Sequence, residues 1–284
     1  QVTCNVEKLE KNKALAGAIC NLKGRVIADF LLVLDGEDCV LRTQSGMAVI
    51  IKNTLEKYAI FSKVTLSIET RFTKVLGVLA DEDAEFLAKI IEKSPRGALD
   101  YHVSTHAIFV RLPGNDKRLE VWIRDEKQFD DWVVNHDFDA VGNWNKKGIL
   151  QGFIHITPIL SEEYTPQVLN YDLSGIIDFS KGCYTGQEII ARMHYRGTAK
   201  KRLSLLLSKS VIKQDSEVIQ RYGDKTNFSK VLAYSNSSNE SENSALLSIL
   251  DITSGESNFS LSSPTNEEQV LNLQSLSYSL ADDQ

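Results

Sequence analysis

The chain has 284 residues, of which 42% are hydrophobic and 25% charged, with a formal net charge of −6. That length exceeds one typical domain, so two or three compact units of ordinary soluble composition are expected. The acidic balance argues against a general nucleic-acid binder, which carries a basic face, and no apolar stretch approaches the roughly 18–20 residues that cross a bilayer. No secretory signal is visible, and the chain opens on Gln1 without an initiator methionine, which reads as a trimmed start.

In chain order, the apolar run Val26–Val33 predicts a buried strand. Asp38–Thr43 reads as its partner, joined through the hairpin pair Asp35-Gly36. From Ser45 to Ala59 the spacing of Met47, Ile50, Ile51, Leu55 and Tyr58 is helical, with Ser45 placed to cap it. Lys63–Ile68 and Phe72–Leu79 then read as strands. Asp81–Lys93 is helical, with Phe86, Leu87, Ile90 and Ile91 on one stripe and acids in the first turn. His106–Leu112 and Arg118–Arg124 alternate as strands, and Asp125–Asn135 closes as a helix. This order predicts an α+β protein with antiparallel sheets covered by helices on one face. Trp144–Phe153 reads as a helix and Glu162–Asp172 as a loop held by Pro166. After Arg202, short runs (Leu203–Leu207, Val231–Tyr234, Leu246–Leu250) separated by polar loops fit a small β-barrel. The stretch Ser235–Ser244 is low-complexity polar chain, expected as a surface loop.

Four cysteines, Cys4, Cys20, Cys39 and Cys183, show neither CxxC nor metal-ligand spacing. A reduced, cytoplasmic chain is the expectation. Cys39, in a strand-like run, reads as a small buried hydrophobe, and Cys4 and Cys20 take the same reading.

The run Lys181-Gly182-Cys183-Tyr184-Thr185-Gly186-Gln187-Glu188 concentrates a thiol, a lysine, a phenol, an amide and a carboxylate around two glycines. Arg192, His194 and Arg196 follow. A thiol is nucleophilic as thiolate, and nearby cations lower its pKa. Two readings stay open: a reactive-cysteine loop, or a glycine turn with one inert cysteine. The basic segment Lys181–Arg202 likewise reads either as a solvated face or as a local patch for an anionic partner such as tRNA.

This string, followed by Ala191-Arg192 and Arg196-Gly197, resembles the signature of the YgfZ family, folate-binding relatives of the glycine-cleavage T-protein. Other segments agree in order. Gln1-Val2-Thr3 with Asn5-Val6 is similar to the family's GQVT-x-DV element, and Lys23-Gly24-Arg25 to its KG[KR] turn. Tyr58–Val64, Pro166-Gln167 and Tyr278-Ser279-Leu280 are similar to further family segments.

The resemblance implies a three-lobed cloverleaf. Its first lobe would be a discontinuous folate-binding domain (1–45 plus 136–200). The second would be an inserted ferredoxin-like domain (46–135), and the third a C-terminal small β-barrel (201–284). It implies tetrahydrofolate, or another folate, as cofactor. Trp144 would be the aromatic platform, Gln187 or Glu188 would meet the pterin edge, and Arg192 or Arg196 the anionic tail. A second family tryptophan lies upstream of the GQVT element, in a region expected to be missing. Cys183 would be the redox-active or sulfur-handling thiol, with Lys181 lowering its pKa. Gly182 and Gly186 would shape the loop, and Tyr184, Gln187 and Arg192 would organise it. The implied role is an accessory protein supporting iron–sulfur enzymes, such as a tRNA methylthiotransferase, with no membrane partner. The alternative is a folate-dependent aminomethyl or one-carbon transferase. Related transferases carry paired aspartates where Gly24–Asp29 here offers one acid, Asp29.

Overall fold

The computed structural model describes residues 1–79, 95–115, 118–124, 127, 142–197, 199–237, 242–262 and 268–278. The chain divides into two compact, discontinuous units. One gathers Gln1–Phe138, His155–Tyr164 and Gly175–Ile189, the other Asp139–Ile154, Thr165–Ser174 and Ile190–Gln284. Every strand pairing among the described residues is antiparallel.

The first unit opens with a three-stranded meander of β1 (Leu15–Cys20), β2 (Val26–Asp35) and β3 (Asp38–Arg42). β2 is central, and its first eight residues are all buried, which is why it reads as a continuous apolar run rather than an alternating one. Asp35 pairs with Asp38 across the expected tight turn. β3 is an edge strand, and of its five residues only Val40 is buried. Cys39 is therefore exposed, which corrects its reading as a buried hydrophobe. Cys4 and Cys20 are buried, as expected.

Helix α1 (Met47–Ser62) follows and packs on β2. Its N-cap is Gly46, at φ 83°, and no side chain caps it, so Ser45 does not take the role its chemistry suits. The helix runs past Ala59 and ends where Lys63 turns left-handed, its N–H bonding back to the Ala59 carbonyl. The strand expected over Lys63–Ile68 is absent. Val64 and Ile68 are exposed and join no strand ladder among the described residues, and alternation makes a strand only where a partner edge is present.

A four-stranded sheet in the order β4 (Lys74–Val78), β7 (Leu119–Ile123), β6 (Ala107–Arg111), β5 (Tyr101–Val103) completes the unit. Val78, Ala107, Phe109, Leu119, Val121 and Ile123 form its core cluster. Polar ties join it to the meander. Arg42 meets the buried Glu120 at 2.7 Å, Arg124 meets Asp35 at 2.7 Å, and the Leu34 N–H donates to the Tyr101 hydroxyl. The helix expected over 81–93, and that over 125–135 apart from residue 127, lie outside the described residues.

The second unit is built on a closed six-stranded barrel. β8 (Lys201–Ser208), β9 (Glu217–Tyr222), β10 (Lys225–Ser235), β11 (Ser244–Asp251), β12 (Asn258–Leu261) and β13 (Gln269–Gln274) close in the order β10-β11-β8-β13-β12-β9. Leu206, Ile212, Val218, Leu246, Leu250, Leu261 and Leu271 fill it. Closure leaves no strand edge, which explains how short runs split by polar loops hold together. Helix α2 (Gly142–Leu150) packs on β10 and β11 and stops three residues before the expected Phe153, because Gly152 takes φ 75°. The Pro166 segment is anchored to the barrel through Arg202. Its guanidinium meets Asp172 at 2.7 Å and the Gln167 carbonyl at 2.9 Å, and both members of the ion pair are buried.

Candidate functional site

The segment Lys181–Glu188 is held by contacts made at short range in space and long range in sequence. Thr3 fixes the approach: its backbone pairs with Ala18, its hydroxyl donates to the Ile176 carbonyl, and its carbonyl accepts from Asp178 N–H. Asp178 then bonds Lys8 at 2.7 Å and the Ser180 N–H at 2.9 Å, and Lys8 first, Ser180 second, hold its carboxyl at about 2. Lys181 Nζ donates to the Val2 carbonyl at 2.7 Å and lies 5.2 Å from the centre of the buried Tyr184 ring.

At Gly186 the chain takes φ 82° and presses against the Asn21–Gly24 turn. A Cβ there would overlap the Asn21 carbonyl oxygen and sit 3.1 Å from Gly24 Cα, so only glycine fits. The opposing turn is rigid in its own right: Asn21 Oδ1 accepts from the N–H groups of Lys23 and Arg25, and Asn21 Nδ2 donates to Glu162. Gln187 Oε1 accepts from Tyr184 N–H, and helix α3 (Gln187–Arg196) starts there. Glu188 sits in its first turn, where an acid suits the helix dipole. Arg192 and Arg196 are exposed on the same helix, and Ile190 is buried.

Cys183 is exposed. The charge of Lys181 acts on the buried thiol of Cys4. Burial pushes Cys4 up to about 11, against the opposing pull of Lys181 and the chain's amino group, and burial alone pushes Cys20 to about 12. Both are inert sulfurs by this measure. Trp144 belongs to the second unit, half-buried on α2. Among the described residues no three His, Cys, Asp or Glu side chains group as a metal site, and no helix is long and apolar enough to cross a membrane.

Within the first unit lies a cleft of about 410 Å³. Its walls include Gln1, Lys23, Lys57, Tyr58, Glu162 and, from the signature, Thr185; Ile19, Ile27 and Leu55 give it an apolar part. Nested turns thus bring the signature and the Lys23-Gly24-Arg25 turn to one cavity wall. None of the eight side chains assigned from sequence lines it.

Sequence reasoning missed one pair. Asp29, in the middle of β2, is 6% exposed. Its Oδ2 lies 2.6 Å from His155 Nδ1, and its Oδ1 accepts the Ile156 N–H at 2.6 Å. Asp29 is therefore a buried acid inside the strand, with a partner at each carboxylate oxygen. Nothing local flagged His155: its partner is 126 residues away, and two isoleucines flank it.

No family model matches the chain. Among curated proteins it is similar to the tRNA-modifying protein YgfZ of three bacteria. Identity to that of Vibrio atlanticus is 31%, over 72% of this chain and 62% of the relative. It is 30% to that of Colwellia psychrerythraea (73% and 64%) and 29% to that of Hamiltonella defensa (74% and 63%). The matched region spans a little under two thirds of these relatives' length. Among solved structures, the glycine cleavage system aminomethyltransferase T from Bartonella henselae superposes with a TM-score of 0.74 over 97% of this chain and 78% of that one, at 11% identity. The chain thus has the aminomethyltransferase fold, of mixed α/β content with a closed six-stranded barrel.

Proposed function

The chain belongs to the YgfZ family, and from that premise we propose that it binds tetrahydrofolate and supports tRNA modification as an accessory to iron–sulfur enzymes. The observation that carries this reading is the seating of the signature. Lys181, Tyr184, Gly186 and Gln187 fix the turn, and Cys183 is left exposed on it. A thiol displayed on a rigid turn suits redox or sulfur handling. In this proposal Trp144 is the ring platform, Gln187 or Glu188 meets the pterin edge, and Arg192 or Arg196 the glutamyl tail. The proposal extends to the three-lobed arrangement, with 46–135 as a ferredoxin-like insertion, and to a cytoplasmic setting.

The test is titration of tetrahydrofolate into the purified chain with tryptophan fluorescence as readout, beside Trp144→Ala. Quenching with weakened affinity in the variant is expected, and equal affinity removes Trp144 from the site. A second reading, a folate-dependent aminomethyl or one-carbon transferase, is favoured by the Asp29–His155 pair, which supplies a proton-transfer group. Methylene-tetrahydrofolate formed from an aminomethyl donor, abolished by Asp29→Ala and indifferent to Cys183→Ser, decides for it.

A further inference from the structure

The cations of this acidic chain are not evenly spread. Of its 38 acids none stands between Glu188 and Asp215, a stretch that holds seven of its 32 lysines and arginines. The fold decides which of the seven act together. Arg202 is buried and neutralised by Asp172. Lys209 and Lys213 follow the far end of β8, about 20 Å along the strand from its first residue, Lys201. Arg192, Arg196, Lys200 and Lys201 remain, all exposed and all in the second unit.

Arg192, Tyr195 and Arg196 stand three and four positions apart on α3 and so share a face, while buried Ile190 marks the opposite one. The helix ends at Arg196 and β8 begins five residues later at Lys201, a reach of at most about 18 Å. Two acids stand near these cations. Glu188 lies one turn before Arg192, and Asp251 pairs with Lys201 across β8 and β11 and accepts from the Thr253 N–H and hydroxyl. They offset two of the four charges and leave the face positive. Cations in a last turn suit the helix dipole, which accounts for Arg196. It does not account for the lysines beyond the helix, nor for the ring set among these cations. Tyr195 is 69% exposed and meets the His194 ring edge-on at 4.8 Å. An acidic protein surface would need the cations alone, whereas an open ring beside guanidinium groups fits an unstacked base.

We propose that Arg192, Tyr195, Arg196, Lys200 and Lys201 form a contact surface for single-stranded RNA, the cations against phosphates and the Tyr195 ring against a base. The choice of RNA among polyanions rests on the tRNA-modification reading, which itself requires no direct RNA contact. The glutamyl-tail contact proposed above takes one of the two arginines, so the test leaves both intact.

The test is fluorescence anisotropy of a labelled oligouridylate with the full chain across a sodium chloride series, with tetrahydrofolate titrated into the same preparations. The logarithm of affinity should fall against that of salt with a slope of about −2 to −3, as four phosphate contacts on a single strand require. Lys200→Ser combined with Lys201→Ser should make the slope shallower by about 1.4. The same two changes at Lys209 and Lys213 should leave it unmoved, because those residues lie beyond a screening length of about 10 Å. Tyr195→Ala should weaken binding about tenfold at an unchanged slope, and Tyr195→Phe, which keeps the ring, should bind as the parent does. Equal effects from the two lysine pairs, or a Tyr195→Ala chain that binds like the parent, overturn the inference. Polyglutamate that competes as well as unlabelled oligouridylate also overturns it and assigns the face to an acidic protein. No RNA binding while tetrahydrofolate still binds overturns the inference and leaves the accessory role standing. RNA binding without tetrahydrofolate binding supports the inference and overturns the folate reading alone.

Discussion

Gly186→Ala tests whether the seating of the signature turn is as tight as its geometry demands. Two penalties add. An L-residue held near φ 82° costs about 1–2 kcal/mol. The new Cβ also meets backbone, the Asn21 carbonyl and Gly24 Cα, and no rotamer change can relieve that overlap, so about 1–3 kcal/mol more is expected. Alanine stiffens the unfolded chain and returns about 0.4–1 kcal/mol. The net loss is about 2–4 kcal/mol, which at a urea dependence of about 2 kcal/mol/M moves the midpoint down by about 1–2 M. Gly182, four residues earlier in the same signature, is the internal control. A Cβ there meets nothing within 4 Å, and its φ lies outside the left-handed region. Gly182→Ala should stay within about 0.5 kcal/mol of the parent. Urea unfolding followed by circular dichroism measures both, and a Gly186→Ala midpoint no lower than that of Gly182→Ala refutes the packing account.

Two further outcomes follow from burial and charge. In the native chain a thiol reagent should label two of the four cysteines, Cys39 and Cys183, with Cys4 and Cys20 reacting only after unfolding, because burial holds those two near 11 and 12; a third fast thiol contradicts this. For Asp178, the folded carboxyl lies at about 2 against 3.8 unfolded, so its bond to Lys8 stabilises the fold above pH 3.8 and that contribution fades as pH falls towards 2. Asp178→Asn should therefore be less stable than the parent at pH 7 and converge with it near pH 2. Denaturant midpoints across that range provide the check, and a gap that persists at pH 2 counts against the pairing.

The elements legible in the sequence are those that local physics dictates. The β2–β3 hairpin shows because a turn dipeptide separates two apolar runs, and the barrel because short strands recur between polar loops. Legibility ends where a neighbour distant in sequence decides. Val64, Leu66 and Ile68 alternate as well as any strand, yet among the described residues no strand pairs with them. Cys39 shares the composition of a buried strand and lies on the outermost one. The partner of Gly186 is a turn more than 160 positions earlier, and that of Asp29 lies 126 positions later. A single sequence carries no local mark of either.

The same distinction divides the signature itself. Read as a string, its lysine belongs to its thiol, since the two stand two residues apart. In space the lysine reaches the Val2 carbonyl and the Tyr184 ring, and its charge also acts on the buried Cys4. Gly186 likewise packs the turn against residues 21–24, and Tyr184 and Gln187 are tied to each other where α3 starts. Replacing any of them disturbs the platform before it disturbs the chemistry, so a lost activity in such a variant does not assign the residue a chemical role. Cys183 differs: exposed and outside that scaffold of hydrogen bonds, its sulfur can become an oxygen with the turn intact. Cys183→Ser is therefore the substitution in the signature whose consequences report on reactivity rather than on folding.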